Sequence, residues 1–291
     1  MRRKVLRHNK VLVTGATGNV GGAVVARLLK AGVGVRALSR RPERLPVGVE
    51  AVRGDQFDPE VVEKASDGTD AAFLVWPAFS ADGAREVVAA LASGTSHVVF
   101  LSSGAVDDSR DVQQDVIGQF HADIERELVE VGTAWTFLRP HGFAANTLAW
   151  LPDILAGDEV RGGFGEVALT LVHEDDIAAV AVEALVGDGH RGKKYVLTGP
   201  ELLTRAEQVR LIGEALGRSL RWVEVTPEAE LEAARRWLPE ALAEAFVSGL
   251  AGRVGNPVPP TTTIEDVTGS PARTFRQWLA DHVDDFVHRS A

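Results

Sequence analysis

The sequence predicts an α/β fold: a doubly wound parallel sheet with a smaller, discontinuous, mainly helical C-terminal lobe. Three observations predict it. Through the first half, short apolar runs alternate with longer amphipathic stretches, as strands and crossover helices do in a parallel sheet. A glycine-spaced turn, Gly15, Gly18 and Gly21, follows the first apolar run directly. Beyond Pro140 the texture changes to Trp- and Leu-containing stretches and a glycine-rich turn, Gly162-Gly163-Phe164-Gly165.

The elements follow in order. Residues 10–14, 35–39, 49–53, 71–75, 97–102 and 134–139 are expected strands, rich in Val, Leu and Phe and closed by Gly, Pro, Ser or Asp. Between them, 20–30, 59–65, 81–93 and 113–131 carry helical spacing, with Asp58 and Asp82 placed as helix starters. Further on, a helix is expected over 175–185, a strand over 195–198 returning to the main sheet, and helices over 204–216 and 227–250. In a last amphipathic helix, over 271–287, Phe275, Leu279, Val283 and Phe286 share one face. Glu174, Asp175 and Asp176 fall where carboxylates satisfy a helix N-terminus, so capping is expected of them, and no metal site is proposed.

The segment from Val11 to Gly21 joins a buried strand, a glycine turn and the start of a helix. Glycines let the backbone turn sharply and bring N–H groups close to a diphosphate, and the helix N-terminus adds partial positive charge there. A strand before the turn and a helix after it give the context of a dinucleotide-binding Rossmann domain. Gly15, Thr17, Gly18, Asn19, Val20 and Gly21 are its expected cofactor contacts. The second strand ends at Leu38-Ser39-Arg40-Arg41, where NAD-preferring folds usually carry a carboxylate for the ribose hydroxyl. A guanidinium can clamp a 2′-phosphate instead, so Arg40, with Ser39 or Arg41, points to NADP(H). Asp55 and Gln56, after the third strand, are placed beside the adenine. Residues 8–140 are thus the expected NADP(H)-binding Rossmann domain, with the late strand near 194–199 joining it, and 141–193 and 200–291 form the expected substrate-binding lobe.

Bulk properties narrow the function. The chain has 291 residues, and its 31 basic and 41 acidic side chains give a formal charge of −10, a surface that repels nucleic acid and anionic lipid. Cysteine is absent, which excludes disulfides and thiol chemistry and suits a reducing cytoplasm. Residues 1–10 read as a basic, solvated leader without a signal-peptide apolar run, and no stretch is long and apolar enough to span a bilayer. A small-molecule partner is expected, with no nucleic acid or membrane, for a monomer or homodimer.

Several segments together resemble the NmrA-like group of atypical short-chain dehydrogenases/reductases. They are the glycine loop, Gly54-Asp55 with Asp58, Phe100-Leu101-Ser102-Ser103, residues 132–140 with Phe143 and Asn146, Asp175-Asp176-Ile177-Ala178, and Tyr195 to Glu201. The likeness spans nearly the whole chain. It implies a dinucleotide over the C-terminal edge of the sheet, nicotinamide near Pro140 to Phe143, and substrate between the main domain and the lobe. The expected cofactor contacts then extend to Val75, Trp76, Pro77, Ser102, Ser103, Pro140 and Phe143. Family members include NADPH-dependent reductases of quinones, iminium or enone intermediates, and sensors that bind NADP without reducing anything.

Most short-chain dehydrogenases use a Tyr-x-x-x-Lys pair, which this chain lacks: its single tyrosine is Tyr195, and residues 118–125 contain no lysine. General acid catalysis contributes roughly 10²–10⁴-fold, so its loss disfavours unactivated ketones and favours quinones, iminium ions or conjugated enones. Alternative donors are His121 and His141, and Ser103 or Ser102 matches the place of the usual serine. Trp76, Phe79, His141, Phe143, Asn146, Trp150 and Phe164 are expected around a flat, apolar substrate. A non-catalytic NADP(H) sensor, or a cofactor-holding isomerase or dehydratase, stands as the alternative.

Overall fold

The computed structural model describes residues 10–287. Residues 1–9 of the expected basic leader, with His8, and His288 lie outside the described residues. The chain divides into two compact units, Met1–Pro140, Glu174–Leu197 and Asp266–Gly269 in the first, and His141–His173, Thr198–Glu265 and Ser270–Ala291 in the second.

In chain order, the first unit begins with β1 (Lys10–Val13), α1 (Asn19–Lys30), β2 (Gly34–Ser39), β3 (Val49–Arg53) and α2 (Pro59–Ser66). It continues through β4 (Ala71–Val75), α3 (Ala84–Gly94), β5 (His97–Leu101), α4 (Val116–Glu130) and β6 (Ala134–Pro140). The second unit opens with β7 (Gly142–Phe143), α5 (Leu151–Ala156), β8 (Glu159–Gly162), β9 (Ala168–Leu169) and β10 (Leu171–Val172). Then α6 (Glu174–Val186) and β11 (Lys193–Leu197) rejoin the first unit. The remainder is β12 (Leu203–Thr204), α7 (Arg205–Leu216), β13 (Arg221–Glu224), α8 (Pro227–Ala234), α9 (Glu240–Gly252), α10 (Thr263–Thr268) and α11 (Phe275–His282).

The main sheet is parallel throughout, in the order β11-β6-β5-β4-β1-β2-β3. The chain leaves β1 in one direction and returns on its other side at β4. This reversal opens a crevice beyond the strands' C-terminal ends, where open α/β sheets bind ligands. Alternation along the strands sends Leu12, Leu74, Phe100 and Phe137 to one face, where α2, α3 and α4 cover them with Val62, Leu91, Ile124 and Leu128. On α6, Ala178, Ala181 and Ala184 are fully buried, and their small side chains permit the close approach of α1. That packing draws 174–193 into the first unit, a departure from the expected lobe boundary.

Two helix readings are corrected. Asp58 caps α2 by accepting the Glu60 and Val61 N–H groups, whereas Asp82 caps nothing: its carboxylate bonds Ser80, and α3 begins after the left-handed Gly83. The helix expected over 227–250 is two helices, because Pro239 has no N–H to continue the first and instead precedes α9. In the second unit, three short strand pairs, β7 with β10, β8 with β13 and β9 with β12, accompany the helices. Phe275, Leu279 and Phe286 are buried in that unit's core with Trp278, as their shared face requires; Val283 is half-buried. No described helix is long and apolar enough to cross a membrane.

Candidate active site

The glycine turn is built by contacts that only glycine permits. Thr14 fastens the end of β1 to β4: its Oγ1 accepts the Val75 N–H at 2.8 Å and donates to the Val75 carbonyl at 3.2 Å. Gly15 then takes φ +63°, and a Cβ there would lie 2.9 Å from that of Val75. A Cβ on Gly21 would lie 2.1 Å from the Gly15 oxygen, whereas on Gly18 it would clear that oxygen at 3.4 Å. Gly18 closes the turn with its N–H on the Gly15 carbonyl at 2.9 Å. No side chain caps α1 and no acid occupies its first turn, which leaves amide hydrogens and the positive end of the helix dipole for an anion.

Beside this turn is a cleft of about 240 Å³. It brings together eight of the predicted cofactor residues: Gly15, Thr17, Ser39, Arg40, Arg41, Asp55, Gln56 and Pro77. Ala16, Leu38, Gly54 and Phe57 also line it and were not predicted. Gln56 donates to the Val75 carbonyl at 3.0 Å, and Asp55 accepts the Phe57 N–H at 3.1 Å, so both loop side chains are fixed. Arg40 and Arg41 are exposed and have no side-chain partner among the described residues, while the neighbouring Arg53 pairs with Glu43. Two unpaired guanidiniums, glycines without room for a side chain and uncapped amides fit a phosphorylated dinucleotide.

Other predicted cofactor residues fall outside the cleft lining. Gly18, Asn19 and Gly21 stay within the turn and the first turn of α1, and Val20 is 6 % exposed, a core residue. Trp76, expected against cofactor and substrate, is 7 % exposed: it packs edge-on to Phe57, and its indole N–H donates to the Ser80 carbonyl at 2.7 Å. Its ring is committed to the core of the first unit. Phe79, by contrast, is 53 % exposed.

Around the end of β5, polar groups form a buried network. The Ser102 hydroxyl donates to Glu125 at 2.5 Å, and Glu125 accepts two bonds from Arg139 at 2.9 and 2.5 Å. The outer edge of Arg139 holds Asp108 at 2.9 and 3.0 Å, and Lys194 reaches the same carboxylate at 2.6 Å. Arg139 and Lys194 keep the Asp108 carboxyl down at about 2. The Ser102 proton is therefore committed to the fold. Ser103 is freer: its Oγ accepts the Ala105 N–H, leaving its own hydrogen to donate.

Neither candidate histidine carries a proton reserve at neutral pH. Burial pushes His121 down to about 4; its ring lies tilted against Phe120, with Nδ1–H donating to the Ile117 carbonyl at 2.8 Å. Its neutral Nε2 is thus an acceptor. Burial, and then the charge of Arg253, pushes His141 to about 4, and its buried Nδ1 has no hydrogen-bond partner. At about 4, both rings are neutral near pH 7. Tyr195 is also engaged, its hydroxyl bonding His190 at 2.8 Å.

The second unit contains a larger cavity of about 670 Å³, which gathers Asn146 and Trp150 from the predicted substrate set; His141, Phe143 and Phe164 are not in its lining. Phe164 holds φ +60°, the left-handed region, alone among the described residues other than glycine. The cavity wall includes a buried ion pair that sequence reading missed, Arg205 with Glu230 at 2.8 Å. Their 25-residue separation, from the start of α7 across β13 into α8, gives no local signal.

A sequence profile of the NmrA-like family matches residues 7–275. A (4-alkanoyl-5-oxo-2,5-dihydrofuran-3-yl)methyl phosphate reductase from Streptomyces griseus is 41% identical over 282 residues, covering 95% of this chain and 99% of the relative. An NAD(P)H azoreductase from Xenophilus azovorans is 33% identical over 293 residues, covering 95% of this chain and 99% of its own. In fold, the chain is similar to an NADPH-dependent quinone oxidoreductase from Escherichia coli solved with NADPH. The TM-score is 0.79 at 22% identity, over 93% of this chain and 99% of the other.

Proposed function

This chain belongs to the NmrA-like family, and we propose that within it the protein is an NADPH-dependent reductase of a small conjugated electrophile. The observation that carries the reading is the 240 Å³ cleft, where the glycine turn meets two unpaired arginines. There Gly15, Thr17 and the amides opening α1 hold the diphosphate, Arg40 and Arg41 with Ser39 hold the 2′-phosphate, and Asp55 and Gln56 flank the adenine. Bound in that way, the reduced nicotinamide supplies hydride. The first unit, with Ser103 and Pro140, is the cofactor-binding domain, and the second, with Phe143, Asn146 and Trp150, is the substrate lobe.

The acceptor class follows from what the protein does not supply. Tyr195 is bonded to His190, Ser102 is committed to Glu125, and His121 and His141 are neutral. An acceptor that leaves its charge on its own carbonyl oxygens needs no strong protein acid, because water can complete the protonation. The Streptomyces griseus relative is named for such a compound, an alkene conjugated to both a ring carbonyl and an alkanoyl group. We assign this chain to the same class of doubly activated enones, with Ser103 as a hydrogen-bond donor to a developing oxyanion.

Steady-state NADPH consumption with a 4-alkanoyl butenolide phosphate, a quinone and an azo dye tests the reading. The butenolide is expected to turn over fastest, and NADPH to be preferred to NADH. No consumption with any acceptor overturns it and favours a cofactor sensor.

A further inference from the structure

The cavity of the second unit, at about 670 Å³, lies within the range of about 300–1,000 Å³ usual for small-molecule sites. Its apolar lining includes Trp150, Leu169, Trp237, Phe246 and Leu250. On a chain of net charge −10, this lining carries three arginines against two carboxylates. Arg205 and Glu230 neutralise each other and are fixed. Arg205 donates to the Gly163 carbonyl at 2.5 Å, Glu230 accepts the Gly163 N–H at 2.8 Å, and the guanidinium lies 5.1–5.8 Å from the rings of Trp150, Trp222 and Phe246. This pair is a preformed wall.

The second carboxylate, Asp153, accepts the Arg161 backbone N–H at 2.9 Å, so the surplus is one positive charge over Arg161 and Arg236, both exposed. Arg161 shares only a surface contact with Glu159 at 3.2 Å, and Arg236 has no side-chain partner among the described residues. An apolar chamber whose lining includes an exposed cation without a side-chain partner, Arg236, selects an amphiphile: the chain leaves water, and the anion does not have to.

We propose that this cavity binds the alkyl chain of an anionic metabolite, with Arg236, assisted by Arg161, holding its phosphate monoester or carboxylate. It rests on the reductase reading, in which the second unit is the substrate lobe.

Calorimetry on the full chain without cofactor tests this, using n-alkyl phosphates from butyl to dodecyl, with octanoate and octanol as partners. Each added methylene should tighten binding about three- to fourfold until the chamber is full, after which affinity levels off. Octyl phosphate or octanoate should bind about tenfold tighter than octanol, and whichever is tighter identifies the anion. Ala233→Trp, which places a ring in the cavity, should move the levelling point to shorter chains; Ala145→Phe serves if that variant fails to fold. Arg236→Gln should abolish the advantage over octanol and keep the dependence on chain length. Binding that ignores chain length, equal affinity for octanol, or unchanged profiles in folded cavity-filling variants would overturn the proposal. Because no turnover is involved, an inactive protein that still binds alkyl phosphates separates this inference from the reductase reading.

Discussion

A methyl group at Gly21 would lie 2.1 Å from the Gly15 carbonyl oxygen, whereas one at Gly22 would meet the Ala16 oxygen at an ordinary 3.6 Å. Gly21→Ala must therefore open the turn that shapes the cleft, and Gly22→Ala need not. Calorimetry should find NADP⁺ binding weakened about tenfold or more in the first, in line with the loss of one to two charge-assisted hydrogen bonds, and little changed in the second. Arg40 and Arg41 make a sharper demand. Replacing both by Gln should weaken NADP⁺ by roughly 10–100-fold, at about 1.5–3 kcal/mol for bonds to a charged group, and leave NAD⁺ nearly unaffected. Equal losses for the two nucleotides would remove the assignment of the 2′-phosphate to these side chains. The glycine turn and the arginines after β2 were legible in the sequence because both are local features. Trp76 was not: one residue past β4 it reads as cleft-lining, and only the approach of Phe57 and Ser80 shows that the ring is enclosed.

Elements were legible to the extent that their signals lie within them. Asp58 precedes Pro59 and caps α2 through its own next residues, while Asp82 offers the same residue type to a segment where Gly83 turns left-handed and Ser80 claims the carboxylate. Ties between elements left no such trace. Glu125 on α4, Ser102 after β5 and Arg139 on β6 form one network, and Glu125 and Arg139 are nearly inaccessible, at 5 % and 4 % exposed. Removing the charge of Glu125 leaves a buried guanidinium with Asp108 as its remaining carboxylate. Such losses cost roughly 3–5 kcal/mol, and the remaining bond to Asp108 places Glu125→Gln at the lower end of that range. Urea unfolding should report the loss as a lower midpoint with an unchanged slope. A midpoint equal to that of the parent protein would mean that the network contributes nothing beyond a well-packed neutral contact.

Across the whole molecule, the two histidines weighed as proton donors act on stability instead. Folding lowers His121 from 6.5 to about 4, so between those values the unfolded chain binds more protons than the folded one. The stabilisation is complete above 6.5 and is lost as pH falls toward 4, by roughly 3 kcal/mol for this buried ring. His141 shifts the same way and adds to the loss. Asp108 acts in the next window down: its folded value of about 2, against 3.8, maintains a contribution that disappears only below 3.8. An opposing effect comes from net charge, since acidification toward the isoelectric point of 5.3 relieves self-repulsion in a chain of charge −10. Repulsion among exposed charges is screened by salt, whereas the desolvation of an enclosed imidazole is not. The urea midpoint in moderate salt should therefore fall between about pH 7 and about pH 5, and His121→Phe, which cannot take up the proton, should flatten the decline. A midpoint that rises across this range would show that charge relief dominates. The same neutrality bears on turnover: with no imidazolium donating, the rate should show no step near pH 6.5, the unperturbed value for histidine, approximately.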